Sequence, residues 1–78
     1  MSKNTMIRRK DRCIAAMKAA GYEQVDCYYC ILFAHEDGLT RVEFDTWHDV
    51  EEWLRGLVFD DPIVSDAVEN ILNGKVVV

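Results

Sequence analysis

The residues best suited to chemistry are two cysteines with the spacing Cys27-x-x-Cys30, in the run Cys-Tyr-Tyr-Cys. This spacing is typical of redox-active dithiols and of zinc sites, where a turn or a helix start lets two sulfurs converge. Here the pair falls inside an aromatic and β-branched run, 25–35, that predicts a β-strand. Side chains three apart on a strand point to opposite faces. The sequence therefore predicts Cys27 in the core and Cys30 on the outer face, with no metal site and no cofactor.

The other titratable residues form no catalytic pattern in the sequence. His35 borders a predicted turn and His48 lies in the first turn of a predicted helix, and neither has a nucleophile beside it. Paired carboxylates such as Glu51-Glu52 are most simply interpreted as solvated helix charges. No phosphate-binding loop, dinucleotide fingerprint, zinc-peptidase motif or kinase signature occurs. These observations predict a protein that is not an enzyme.

Length and composition indicate one domain spanning residues 1–78, half of whose residues are apolar or aromatic. No stretch approaches the roughly 20 apolar residues of a membrane span. Residues 1–5 are not followed by the apolar segment of a secretory signal, which predicts a cytoplasmic protein. Three cysteines are an odd number, so reduced thiols are expected.

The formal charge of −5 is unevenly distributed, because residues 1–18 hold six of the nine basic residues and one of the fourteen acidic ones. Arg8, Arg9 and Arg12 form a compact basic patch on a predicted helix. Arginines at such spacing can bind phosphates, which makes nucleic-acid binding one alternative. The acidic balance of the whole chain weighs against it. A solvated face, or a patch that meets an acidic protein, is the other interpretation.

Helical spacing of apolar residues predicts a first helix from about residue 5 to 20, capped by Asn4 or Thr5 and ended by Gly21. The basic patch lies on the side away from the core, with three alanines. The residues on the predicted core side are Met6, Ile7, Cys13, Ile14 and Met17, and the alanines on the other side are Ala15, Ala16 and Ala19.

A β-hairpin is predicted from the segments 25–35 and 39–44, which flank the turn-forming pair Asp37-Gly38. A two-residue turn there places Phe33 opposite Val42, Ile31 opposite Phe44 and Ala34 opposite Arg41. A one-residue slip would destroy the match between the two apolar faces. The predicted core face carries Val25, Cys27, Tyr29, Ile31, Phe33, Val42 and Phe44.

Two amphipathic helices are predicted after the hairpin. Thr46 (or Asp45) caps the first, whose buried stripe is Val50, Trp53, Leu54 and Leu57. Asp61-Pro62 opens the second, which buries Val64, Ala67, Val68, Ile71 and Leu72 and ends at Asn73-Gly74. Residues 76–78 are a candidate third strand. The predicted fold is a two-layer α+β domain, an antiparallel hairpin packed against amphipathic helices in the order αββαα(β).

The outer hairpin face, with Tyr28, Cys30, Leu32 and Ala34, is too apolar to be fully wetted. Tyr28 and Leu32 are therefore predicted partner contacts. Dimerisation of the chain, or helices covering both sheet faces, would also account for this face. The acidic surface of the second helix, with Asp49 and Glu52, is the second candidate surface.

Three sequence features carry a family resemblance. They are Phe44-Asp45-Thr46, then Val50-Glu51-x-Trp53-Leu54-x-Gly56-Leu57, then Val64-x-x-Ala67-Val68-x-x-Ile71. Together they resemble the C-terminal region of a small phage-encoded type I-F anti-CRISPR protein. The first twenty residues differ, since they predict a helix where that family begins with strands. The family's target-contacting residues lie in that strand region, so none is carried over.

The resemblance implies a compact inhibitor from a phage or mobile element that acts by occlusion. The expected function is therefore non-enzymatic binding of a protein target in the host cytoplasm. The implied target is a nucleic-acid-handling complex such as a CRISPR effector complex. The alternative is a nucleic-acid-associated module that uses the basic N-terminal helix.

Overall fold

The computed structural model describes residues 8–74. Three strands form one antiparallel sheet in the order β1-β2-β3, and three helices accompany it, so the α+β class is confirmed. The predicted caps Asn4 and Thr5, the predicted core residues Met6 and Ile7 and the candidate strand 76–78 lie outside the described residues. The predicted start of the first helix near residue 5 was wrong, because α1 begins at Arg9 and Arg8 is its N-cap in an extended conformation. The elements are α1 (Arg9–Ala19), β1 (Tyr22–Val25), β2 (Ile31–His35), β3 (Arg41–Phe44), α2 (Trp47–Gly56) and α3 (Pro62–Leu72).

The register between β2 and β3 is the predicted one, with Phe33 opposite Val42 and Ile31 opposite Phe44. The reversal itself is wider than a two-residue turn and spans residues 36–39. Gly38, at φ +77°, donates its amide to the His35 carbonyl at 3.0 Å, and the His35 amide donates to the Thr40 carbonyl at 2.8 Å. The predicted two-residue turn and the observed wider reversal give the same register, because each places His35 opposite Thr40.

The predicted single strand 25–35 was wrong, because the chain leaves the sheet between Val25 and Ile31 and turns back. Val25 lies opposite Leu32 in the antiparallel pairing of β1 with β2. The two residues therefore share a face, and Val25 lies on the outer face instead of the predicted core face. This second reversal adds the strand β1 and makes residues 26–30 a loop.

One core lies between the sheet and the helices. At its centre Phe33 is 0% exposed, and its ring lies edge-on to the rings of Phe44 and Trp47, with centroids 6.5 and 6.2 Å away. The helices cover the sheet face that carries Phe33, which gives the predicted two layers. The other buried residues are Cys13, Ala16, Met17, Val50, Leu54, Val68 and Leu72.

Helix α1 is more buried than its sequence pattern predicts, because it contacts both other helices. Ala16 was predicted on the side away from the core, and it is 0% exposed. A methyl side chain lets two helices approach closely, so an alanine face is as suitable for a helix contact as for solvent. The predicted termination at Gly21 is confirmed, with Gly21 at φ +96°.

The predicted caps of α2 and α3 are confirmed. The Thr46 hydroxyl accepts the Asp49 amide at 3.1 Å, and the Asp61 carboxylate accepts the Ile63 amide at 2.9 Å. Each bond satisfies one of the amides that a helix start leaves without an intrahelical partner. The Thr46 cap fixes where α2 begins, and so places its acidic first turn directly after β3.

Candidate functional site

Residues 26–30, the tyrosine loop, connect β1 to β2 and bring the two cysteines together. The sulfur atoms of Cys27 and Cys30 are 2.8 Å apart. The prediction that they point to opposite faces was wrong, as was the placement of Cys27 in the core, because neither residue belongs to a strand. The Cys30 thiol also lies 3.6 Å from Oε2 of Glu43 on β3.

The surroundings of the two thiols give them different acidities. The hydrogen bond between the two thiols lowers the pKa of Cys27, and the backbone amides of Tyr29 and Cys30 act in the same direction. The same sulfur contact, with burial and the nearby charges of Cys27 and Glu43, raises the pKa of Cys30 to about 12. A thiolate at Cys27 is therefore favoured over one at Cys30.

Cys13 has a third, contrasting environment. It is fully buried, and its thiol donates to the Trp47 carbonyl at 3.6 Å. Burial, reinforced by the charge of Glu51, raises its pKa to about 11. Cys13 is thus a core residue, as the sequence predicts for a free cysteine in a helix, and serves as an internal reference for the loop thiols.

The loop displays two aromatic side chains to solvent. Tyr28 has a relative exposure of 104% and Tyr29 of 88%. The exposure of Tyr28 agrees with its predicted outward position, although it lies on a loop instead of the sheet. The prediction that Tyr29 faces the core was wrong, for the same reason that the strand prediction was wrong. Tyrosine is usually partly buried in folded proteins, so two adjacent and almost fully exposed tyrosines are unusual.

The outer sheet face adjoins this loop. Leu32 lies there as predicted, opposite Glu43 on one side and Val25 on the other. Within residues 8–74, Val25, Leu32 and Ala34 do not belong to the hydrophobic cluster that packs around the core. Leu32 is half-buried.

An open hollow joins the tyrosine loop to the acidic start of α2. It is lined by Tyr29, Cys30, Glu43, Phe44, Asp45 and Asp49. The outer hairpin face and the acidic surface of α2, which the sequence predicts separately, therefore meet at this hollow through Cys30 and Asp49. Glu52 is also exposed, and its carboxylate lies 3.1 Å from His48 Nε2.

The arginines of α1 lie against the other helices. Arg9 Nε donates to Glu51 at 3.1 Å, and the Arg12 guanidinium lies 4.0 Å from the same carboxylate and donates to the Leu72 carbonyl at the end of α3. Arg8 is exposed and precedes the first turn of α1. Two of the three arginines in the predicted patch, Arg9 and Arg12, therefore connect α1 to the other two helices.

Glu51 is the centre of this ion-pair network, and the prediction that it is a solvated charge was wrong. Its side chain is 16% exposed and also lies 2.9 Å from Arg55. Burial opposes its ionisation, but the Arg55 hydrogen bond and the charges of Arg55, Arg12 and Arg9 outweigh burial, so the pKa of Glu51 is lowered.

We expect Glu51→Gln to lower the free energy of unfolding by about 1–2 kcal/mol at pH 7, since three guanidinium groups lose their shared carboxylate. The pKa of Glu51 in the folded protein lies below its ordinary value of 4.5. Its stabilisation is therefore complete above about that pH and is lost as the pH falls through the folded-state value. Urea unfolding at pH 7 and at several acidic pH values measures both effects, and the acid-induced fall should be shallower in the variant.

Glu52→Gln is the matched control, because Glu52 is the next residue in α2 and its side chain is 68% exposed. We expect it to change the stability by less than about 0.5 kcal/mol. Equal losses in the two variants would show that Glu51 is not the centre of a network.

Both histidines have structural partners. The His35 ring lies edge-on to Tyr22 with centroids 4.7 Å apart, and its Nδ1 accepts the Asp37 amide at 3.0 Å. His48 pairs with Glu52. In the described part of the chain, no three His, Cys, Asp or Glu side chains are grouped so as to hold a metal ion.

Comparison with known proteins gives no match among protein-family models, curated proteins or solved structures. None of the helices between residues 8 and 74 has the length and apolar character that crossing a membrane requires.

Proposed function

We propose that this protein is a non-enzymatic binding module that docks its tyrosine loop onto another protein. The observation that carries the proposal is the exposure of Tyr28 and Tyr29, side by side, at 104% and 88%. Tyrosine is an effective interface anchor, since it offers a large apolar area and a hydroxyl while losing little conformational entropy. Leu32, on the adjoining sheet face, extends the same apolar surface.

The carboxylates beside the loop define the chemistry of the partner. Glu43, Asp45 and Asp49 line the hollow that begins at Tyr29. Complementary charge steers association and suppresses wrong partners, so the partner surface is expected to be basic. Proteins that bind nucleic acids carry such surfaces, because they must neutralise phosphates.

The narrower form of the proposal is an inhibitor from a phage or mobile element. It acts in the host cytoplasm by occluding a nucleic-acid-handling complex, such as a CRISPR effector complex. The support for it is the resemblance of residues 44–71 to the anti-CRISPR pattern and the acidic, tyrosine-bearing surface. Leu32 could instead mediate self-association of the chain through the outer sheet face. Sedimentation of the purified chain distinguishes self-association from binding of a partner protein.

Nucleic-acid binding by α1 is the alternative function. Its support is weaker, because Arg9 and Arg12 contact Glu51 and the end of α3. Retardation of a nucleic acid at low salt, abolished by charge reversal at Arg8, would favour this alternative.

We expect the affinity for the partner to fall with salt, and Asp45→Asn with Asp49→Asn to weaken it about 10-fold at low salt. The partner is captured on the immobilised chain, purified, and titrated by calorimetry at several salt concentrations. The matched control is Asp60→Asn with Asp66→Asn, two exposed carboxylates away from the hollow. An affinity that does not change with salt, or equal losses in the two double variants, would contradict the acidic surface.

A further inference from the structure

The proposed binding function makes no use of the two thiols at the base of the tyrosine loop. We propose that Cys27 and Cys30 are a redox-active dithiol, which exchanges with low-molecular-weight disulfides such as oxidised glutathione and closes to a disulfide within the loop. This inference goes beyond the proposed binding function and does not depend on it, because the chemistry needs only the loop and a small disulfide.

The geometry favours a dithiol over a metal site. The sulfurs lie 2.8 Å apart, so less than an ångström of movement brings them to the bond length of about 2.05 Å. Two thiolates on one tetrahedral zinc ion would be about 3.8 Å apart, given Zn–S bonds of about 2.3 Å. Among residues 8–74, no third ligand completes a metal-binding group with them.

The two cysteines have distinct roles in this geometry. Cys27 is the attacking thiolate, because its sulfur lies 2.8 Å from the Cys30 sulfur and this contact, with the hydrogen bonds from the Tyr29 and Cys30 amides, lowers its pKa. Cys30 is the resolving thiol, held against the Cys27 sulfur on one side and Glu43 on the other. A more acidic attacking thiol with a less acidic partner is the arrangement that thiol–disulfide exchange requires.

The reaction balances without any further reactant. The Cys27 thiolate attacks one sulfur of oxidised glutathione, forms a mixed disulfide and releases one glutathione thiolate. Cys30 then gives its proton to solvent, and its sulfur attacks the Cys27 sulfur. The new Cys27–Cys30 bond displaces the second glutathione thiolate. Two electrons pass from the protein dithiol to glutathione disulfide, and both released thiolates take up protons from solvent according to the pH.

The test is a titration of the full chain in glutathione buffers of increasing oxidised fraction at pH 7, quenched with acid, alkylated and cleaved with trypsin. Cleavage after Arg12, Lys18 and Arg41 separates the pair, in peptide 19–41, from Cys13, in peptide 13–18. We expect peptide 19–41 to lose two hydrogens while the protein stays monomeric and Cys13 stays reduced. A pair that stays reduced in the most oxidising buffer, or one that instead links two chains, would overturn the proposal, as would zinc held by the pair in the purified protein.

Single variants test the two roles. Cys30→Ser should accumulate a mixed disulfide with glutathione at Cys27, and Cys27→Ser should form one at Cys30 at least about 10-fold more slowly. The rates of mixed-disulfide formation in the denatured variants give the intrinsic reactivity of each thiol. A variant that reacts at its denatured rate under native conditions has lost its fold. Equal native rates in the two folded variants would contradict the assignment. In the wild-type chain Cys13, with its pKa of about 11, should be alkylated on the order of 100-fold more slowly than an ordinary thiol.

Discussion

Replacing both loop tyrosines, Tyr28→Ala with Tyr29→Ala, is expected to weaken partner binding about 100-fold or more and to leave the stability of the fold unchanged. The loss follows because a few aromatic anchors usually supply most of the binding energy of an interface. The stability is preserved because both side chains are exposed, at 104% and 88%, and make no core contact that truncation would remove. Surface substitutions of this kind change the free energy of unfolding by about 0.5 kcal/mol or less.

A matched control separates a specific anchor from general surface stickiness. Val58 and Ile63 are also apolar and highly exposed, at 91% and 77%, and flank the start of α3. Val58→Ala with Ile63→Ala should bind the partner as tightly as the wild-type chain. Undiminished binding by the tyrosine variant, measured with the same purified partner, would contradict the proposed docking surface.

Phe33→Ala is expected to be the most destabilising single change in the sheet, at about 3–5 kcal/mol. Phe33 is 0% exposed and its ring contacts those of Phe44 and Trp47, so truncation leaves a cavity where β2 meets α2. Domains of this size have small total stability. Denaturant unfolding should therefore show a transition shifted strongly to low denaturant, or a chain already partly unfolded in buffer.

The neighbouring residue on the same strand supplies the control. Leu32 points to the opposite face and packs outside the core cluster of the described residues. Leu32→Ala should therefore cost about 1 kcal/mol or less. If Leu32→Ala were as destabilising as Phe33→Ala, the faces of β2 would be assigned the wrong way round.

Local signals in the sequence were sufficient for several parts of the fold. The caps at Thr46 and Asp61 depend on one side chain and an amide two or three residues away, so both could be predicted. The register of β2 with β3 could also be predicted, since it depends on a short turn and on matching two apolar faces. The length of the turn could not be predicted, because a two-residue and a four-residue turn give the same register.

The tyrosine loop could not be predicted from residue preferences. Tyrosine, isoleucine and leucine all favour strands or burial, so the run from Cys27 to Leu32 looks like the middle of a strand. The competing signal was present in Asp26, a poor strand former, and in the Cys-x-x-Cys spacing, which is typical of turns. Pairing with β1 overrides the strand preference of these residues. Because Val25 pairs with Leu32 in an antiparallel sheet, the chain must reverse between them.

Contacts between distant parts of the chain were also outside the reach of sequence patterns. Arg9 and Glu51 are 42 residues apart, and nothing in the local sequence of either indicates the other. The same is true of Ala16, whose burial follows from the packing of α1 against other helices. The candidate site shows this most clearly, because Asp49 and Tyr29 line one hollow, although the sequence predicts Tyr29 in the core and Asp49 on an acidic surface.

The chain leaves the sheet between Val25 and Ile31, and this departure both pairs the sulfurs and exposes the tyrosines. Proton NMR of the reduced chain tests it most directly. The expected result is nuclear Overhauser contacts between the β-protons of Cys27 and Cys30, with cross-strand contacts that pair Val25 with Leu32. A continuous strand would instead extend the register of β2 with β3 and place Cys30 opposite Asp45. Cross-strand contacts between those two residues, without the Cys27–Cys30 contacts, would contradict both the docking surface and the dithiol.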